Sequence, residues 1–101
     1  MEWIIFVKKE NVKKAEETLR NDFDNAAKQS ITVRDAKALG FKNLDGSFFL
    51  ISGDDKGVGK CKELIKEFVS DVKKEELEKA REDIRKEEDA AAEGMGGIFN
   101  I

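Results

Sequence analysis

The chain has 101 residues and a net charge of −3, with 41 % of its residues charged and 40 % hydrophobic; it carries one cysteine and neither proline nor histidine. That length suits one domain rather than two, and the apolar share is enough for a modest core. A pI of about 5.1 with lysines interleaved among acids is a poor match to a nucleic-acid backbone, a lone cysteine excludes an internal disulfide and fits a reducing compartment, and the lack of histidine removes the usual zinc ligands and the usual base for a nucleophilic thiol.

Trp3-Ile4-Ile5-Phe6-Val7 is continuous, β-branched and aromatic. Neither its odd nor its even positions are polar, which predicts a strand covered on both faces. The run is too short for a secretory h-region and an acid precedes it, and no run approaches the roughly 18 residues of a membrane helix. A cytoplasmic protein is expected. After Lys8-Lys9, Asn11 is a suitable helix cap, and Val12, Ala15, Leu19, Phe23 and Ala26 recur at helical spacing, predicting a helix over about 12–28.

Residues 30–40, SITVRDAKALG, carry two signals. Ile31 and Val33 alternate as on a strand, whereas Thr32 to Asp35 resembles a capping box and Gly40 a C-terminal stop. The balance favours a short helix over about 33–39 after a few extended residues. Asn43-Leu44-Asp45-Gly46 predicts a turn, and Phe48 to Ile51 a second strand apolar on both faces. Val58, Cys61, Leu64, Ile65, Phe68, Val69 and Val72 trace a helix over about 57–70. From Lys73 to Asp89 only Leu77, Ala80 and Ile84 are uncharged, and Glu75–Lys79 and Glu82–Lys86 fall at the favourable i,i+4 spacing. This third helix continues through Ala90-Ala91-Ala92, and Gly94 is expected to end it.

The stretch SGDDKGVGKCKE, Ser52 to Glu63, invites comparison with a phosphate-binding loop. The spacing is wrong: five residues, not four, separate Gly53 from Gly59-Lys60, Cys61 stands where a magnesium-binding hydroxyl belongs, and Asp54 and Asp55 would repel a phosphate. Ser52 or the aspartates are read as helix caps and the glycines as a tight strand-to-helix turn. Gly53, Gly57, Gly59 and Lys60 remain the candidates for a weaker anion or small-ligand site. Cys61 shares the apolar face of Val58 and Leu64, which predicts a buried, inert thiol. Asp45, Asp54 and Asp55 lack the calcium-loop pattern, and the many acids read as solvated faces rather than catalytic pairs. Stacking of bases on Trp3 or Phe48-Phe49 would need those rings exposed on a basic sheet, which the apolar strands and acidic charge argue against.

Two strands do not make a stable sheet alone, so Ser30–Arg34, the tail or a second chain must complete it. A right-handed βαβ-like crossover between the two apolar strands is expected. The expectation is an α+β, sandwich-like fold: a small sheet of two to four strands flanked by about three helices, with a long charged C-terminal helix. The element order resembles a ferredoxin-like βαββα sandwich, though no residue motif ties it to a family. One domain spans 1–101, with a core over 1–72 and a charged helix and apolar tail over 73–101. Lysine- and glutamate-dense composition is met in thermophilic and archaeal proteins, although the absence of proline runs against it. No catalytic residue, metal site or cofactor is expected. The leading functional expectation is a non-enzymatic interaction or regulatory module. It forms a homodimer, or binds a protein partner, through the sheet edge, helix 73–92 and the tail residues Ile98, Phe99 and Ile101. A sensor using loop 53–60 is the alternative.

Overall fold

The computed structural model describes the chain over residues 1–99, with the side chains of residues 1–88 other than Ala27. Four strands, β1 (Glu2–Lys8), β2 (Ser30–Asp35), β3 (Gly46–Ser52) and β4 (Val69–Ser70), and three helices, α1 (Lys9–Asn21), α2 (Asp55–Ile65) and α3 (Lys74–Phe99), follow one another in the order β1-α1-β2-β3-α2-β4-α3. The sheet runs β2-β3-β1-β4 and every neighbouring pair is antiparallel. This is the split-βαβ connectivity of ferredoxin-like domains, with a third helix appended.

The sheet is covered on both faces, which explains strands without a polar side. Ile5, Val7, Phe49 and Ile51 point into one core with Ala15 and Leu19 of α1 and Val58, Cys61 and Ile65 of α2. Phe6, Phe48 and Leu50 point into the other, closed by Ala80 and Ile84 of α3 with Leu77 packed alongside. Phe48 stacks tilted against Phe6 and Phe41 at centroid distances of 5.2 and 5.0 Å. The second core thus draws on the charged helix as well as on residues 1–72. Among the described residues no polar or charged side chain is fully buried. Gly46, buried in β3, admits no larger residue, since a Cβ there would press on the Val7 carbonyl and lie 2.7 Å from Phe6 Cζ.

Several boundaries differ from expectation. β1 feeds straight into α1, so the helix starts at Lys9, Asn11 lies inside its first turn rather than capping it, and Lys8 at the N-cap makes no side-chain bond. The helix ends at Asn21, where the turn-forming Asp22-Phe23-Asp24-Asn25 takes over; Phe23, expected on the buried face, is 73 % exposed. The helix expected over 33–39 is absent. Residues Ser30–Asp35 form β2, because a full ladder to β3 outweighs a local cap signal. Asp35 Oδ1 accepts instead from the Lys37 amide at 3.0 Å, and Gly40, with φ of 94°, closes a turn rather than a helix. α2 stops at Ile65, and Lys66–Phe68 tightens into a 3-10 turn leading to β4. The crossover is β1-α1-β2, straddling β3, and not a parallel link between the two apolar strands. Gly94 does not end α3, which continues through Gly96 and Gly97 to Phe99; each glycine costs a helix about 1 kcal/mol without by itself stopping it.

Candidate functional site

The stretch 52–63 is a helix start. Asp54 is the N-cap of α2 and its Oδ1 accepts from the Gly57 amide at 2.5 Å, so a carboxylate already sits where an anion would be received. Gly53 is paired with Met1: its amide donates to the Met1 carbonyl at 3.1 Å, and the Met1 amino group donates to the Gly53 carbonyl at 2.8 Å. Gly57 is buried beneath Gln29. Of the four candidates only Gly59 and Lys60 share a hollow, with Asn25, Asp55, Lys56 and Glu63; its two lysines meet two acids. Cys61 is fully buried, and burial, aided by the charge of Asp22, pushes its thiol pKa above the ordinary value. Asp45 and the pair Asp54-Asp55 lie at opposite ends of β3, about 20 Å apart along a seven-residue strand. Among the described residues no three His, Cys, Asp or Glu side chains gather as metal ligands. Phe48 and Phe49 are fully buried, so they offer no face to a base.

A hollow of about 470 Å³ lies where α1 begins and β3 starts. It presents Lys9, Lys13 and Lys37 against Glu16, Asp35 and Asp45, with Lys37 Nζ 3.7 Å from Asp45. That is a charge-balanced set of three lysines and three acids, with the Ser47 hydroxyl beside it.

The distinctive feature is the pair of sheet edges. In an antiparallel ladder alternate residues exchange both backbone bonds with one neighbour, and the residues between them point the other way. Three bonds fix the alternation. Ala36 N donates to Gly46 O at 2.9 Å, Lys9 N to Asp45 O at 3.1 Å, and Gly53 N to Met1 O at 3.1 Å. With the register, the first places Ser30, Thr32 and Arg34 in bonded pairs with β3, so the amides and carbonyls of Ile31 and Val33 face outward from β2. The other two place Trp3, Ile5 and Val7 in bonded pairs with β3, so those of Glu2 and Ile4 face the far side. There β4 covers β1 only at Phe6 and Val7, and Glu2 and Ile4 stand beyond its reach.

At the β2 edge the half-buried Ile31 and Val33 line a groove of about 240 Å³ with Leu19, rimmed by Glu16, Arg20 and Gln29. The other face of the same strand is gripped by α3. Arg34 Nε donates to Glu87 at 2.8 Å and Thr32 Oγ1 to Glu88 at 2.8 Å. Arg34 Nη1 also donates to the Val33 carbonyl at 2.9 Å, so one outward acceptor is masked by its neighbour's guanidinium. The sequence signals this edge through the Ile31/Val33 alternation, which the competing cap signal hid. Ile98, Phe99 and Ile101, expected to dock on a partner, lie outside the residues whose side chains are described. Among the described residues no helix is long and apolar enough to cross a membrane. No protein-family model matches the chain, and comparison with curated proteins and with solved structures finds no significant match.

Proposed function

We propose that the protein is a non-enzymatic, cytoplasmic interaction module that self-associates, two copies joining their β2 strands antiparallel across a two-fold axis into one continuous sheet. The observation that carries this reading is the outward backbone of Ile31 and Val33, without a strand partner and with only the Val33 carbonyl held by Arg34, beside an apolar groove. An open strand edge recognises another strand. Antiparallel self-pairing sets Ile31 of one copy opposite Val33 of the other, twice, with Thr32 facing its counterpart on the axis; apolar and threonine pairs of this kind favour association. Each new backbone bond contributes about 1 kcal/mol. α3 supports the same joint, because it reaches the β2 edge at Glu87 and Glu88 and continues to Phe99.

Sedimentation equilibrium tests the reading. The expected result is a dimer that becomes monomeric in Val33→Pro, since proline removes the outward donor and leaves the bonds to β3 in place. A wild-type chain that stays monomeric at high micromolar concentration, or a dimer indifferent to Val33→Pro, overturns it.

A further inference from the structure

A second recognition surface lies on the opposite side of the sheet. We infer that the uncovered edge of β1, at Glu2 and Ile4, is a slot for a short extended peptide from another protein. The peptide adds as a strand in line with β4, with an apolar residue facing Ile4 and acidic residues flanking it.

Backbone geometry defines the class of ligand. The amide and carbonyl of Ile4, and those of Glu2, point toward the side where β4 has ended. Four alternating donors and acceptors along an extended strand are matched by another extended backbone. The side chains define the sequence. A residue bonded opposite Ile4 projects to the same face as Ile4, into a groove of about 270 Å³ floored by Ile4 and Leu77 and walled by Lys74, Glu78 and Arg81. Its neighbours project to the other face, beside the half-buried Trp3, whose ring carries Lys62 Nζ at 5.7 Å from its centroid. Charge excludes a second copy as occupant. Glu2 is engaged by Arg81 at 3.6 Å and by Arg85, and Lys62 and Lys74 add two further cations beside Glu78 and the bordering Asp71. The slot is therefore basic, two such slots repel, and an acidic segment complements them. It is also short, since Asp71 ends β4 on one side and β1 begins at Glu2 on the other.

The chain's single tryptophan, Trp3, borders the slot and reports its occupancy. The test is selection from a displayed random heptapeptide library against the whole chain, followed by titration of the selected peptides, synthesised, against Trp3 emission. The expected outcome is enrichment of heptapeptides alternating apolar and acidic residues, each shifting Trp3 emission on binding. Affinity falls at least fivefold in Lys74→Glu and is lost in Ile4→Pro, whose missing donor is not one that β3 uses. Val33→Pro binds the same peptides unchanged, which separates this surface from the β2 joint. No enrichment, or binding that survives both Lys74→Glu and Ile4→Pro, overturns the inference. So does a Trp3 shift produced by truncation after Glu88 with no peptide, which assigns the slot to the chain's own C-terminal end, or one produced by raising protein concentration, which assigns it to a second copy.

Discussion

Cys61 and Arg34 show how neighbours set the behaviour of single residues. The Cys61 thiol is sealed among Val58, Ile65 and the first-face core, and its pKa is raised by burial first and the Asp22 charge second. At pH 8 it should react with a thiol reagent far more slowly than a free cysteine, and only as the fold opens. The folded chain holds this proton more tightly than the unfolded chain, so the contribution to stability is present below the unfolded value of about 8.5 and is lost as pH rises through the higher folded value. Cys61→Val should flatten that alkaline decline in melting temperature; an equal decline in both proteins refutes it. Arg34 works at the surface. Its guanidinium bridges Glu87 and the Val33 carbonyl, a charged cover over an edge acceptor. Arg34→Ala should tighten self-association severalfold while changing stability by under about 1 kcal/mol, because exposed ion pairs contribute little. Sedimentation and thermal melts measure the two effects separately.

At the level of the element, β2 carries the clearest prediction. Thr32 donates to β3 and Val33 points outward, although they are adjacent. Thr32→Pro should therefore unfold the sheet edge, with a loss of 3 kcal/mol or more expected on the order of a disrupted ladder, while Val33→Pro folds; circular dichroism and urea melts distinguish them. This element was also the one the sequence concealed. The strands β1 and β3 were legible because runs such as Trp3–Val7 have no polar side to offer solvent. α3 was legible from its i,i+4 charges. In β2, Ser30, Thr32 and Arg34 face α3's carboxylates, so the strand is half polar, and a Thr-x-x-Asp spacing with a following glycine imitates a helix. Only the pairing with β3, twelve or more residues away in the chain, decides the matter, and local sequence does not record it. The open edges were hidden for the same reason: which backbone groups are unpaired depends on register, and the outward backbone of Glu2 and Ile4 lacks a strand partner because β4 is two residues long.

On the scale of the whole molecule, the charged helix is structural. α3 places Ala80 and Ile84, both fully buried, over Phe6, Phe48 and Leu50, and without it one face of the sheet would be wet. The apolar strands thus need no second chain to hide them, and the proposed self-association rests on edges rather than on an uncovered sheet face. Ile84→Ala should lower stability by about 2–5 kcal/mol, the range for emptying a buried isoleucine site. A loss under 1 kcal/mol, read from urea denaturation, would show that α3 does not close this core.

The alternation along β2 also has a kinetic signature in heavy water. In the monomer the amide protons of Ile31 and Val33 should exchange within seconds to minutes, while those of Thr32 and Arg34, tied to β3, persist as long as the sheet does. Two neighbouring rates would then differ by orders of magnitude within a single strand, and any molecule that settles on that border would erase the difference one amide at a time.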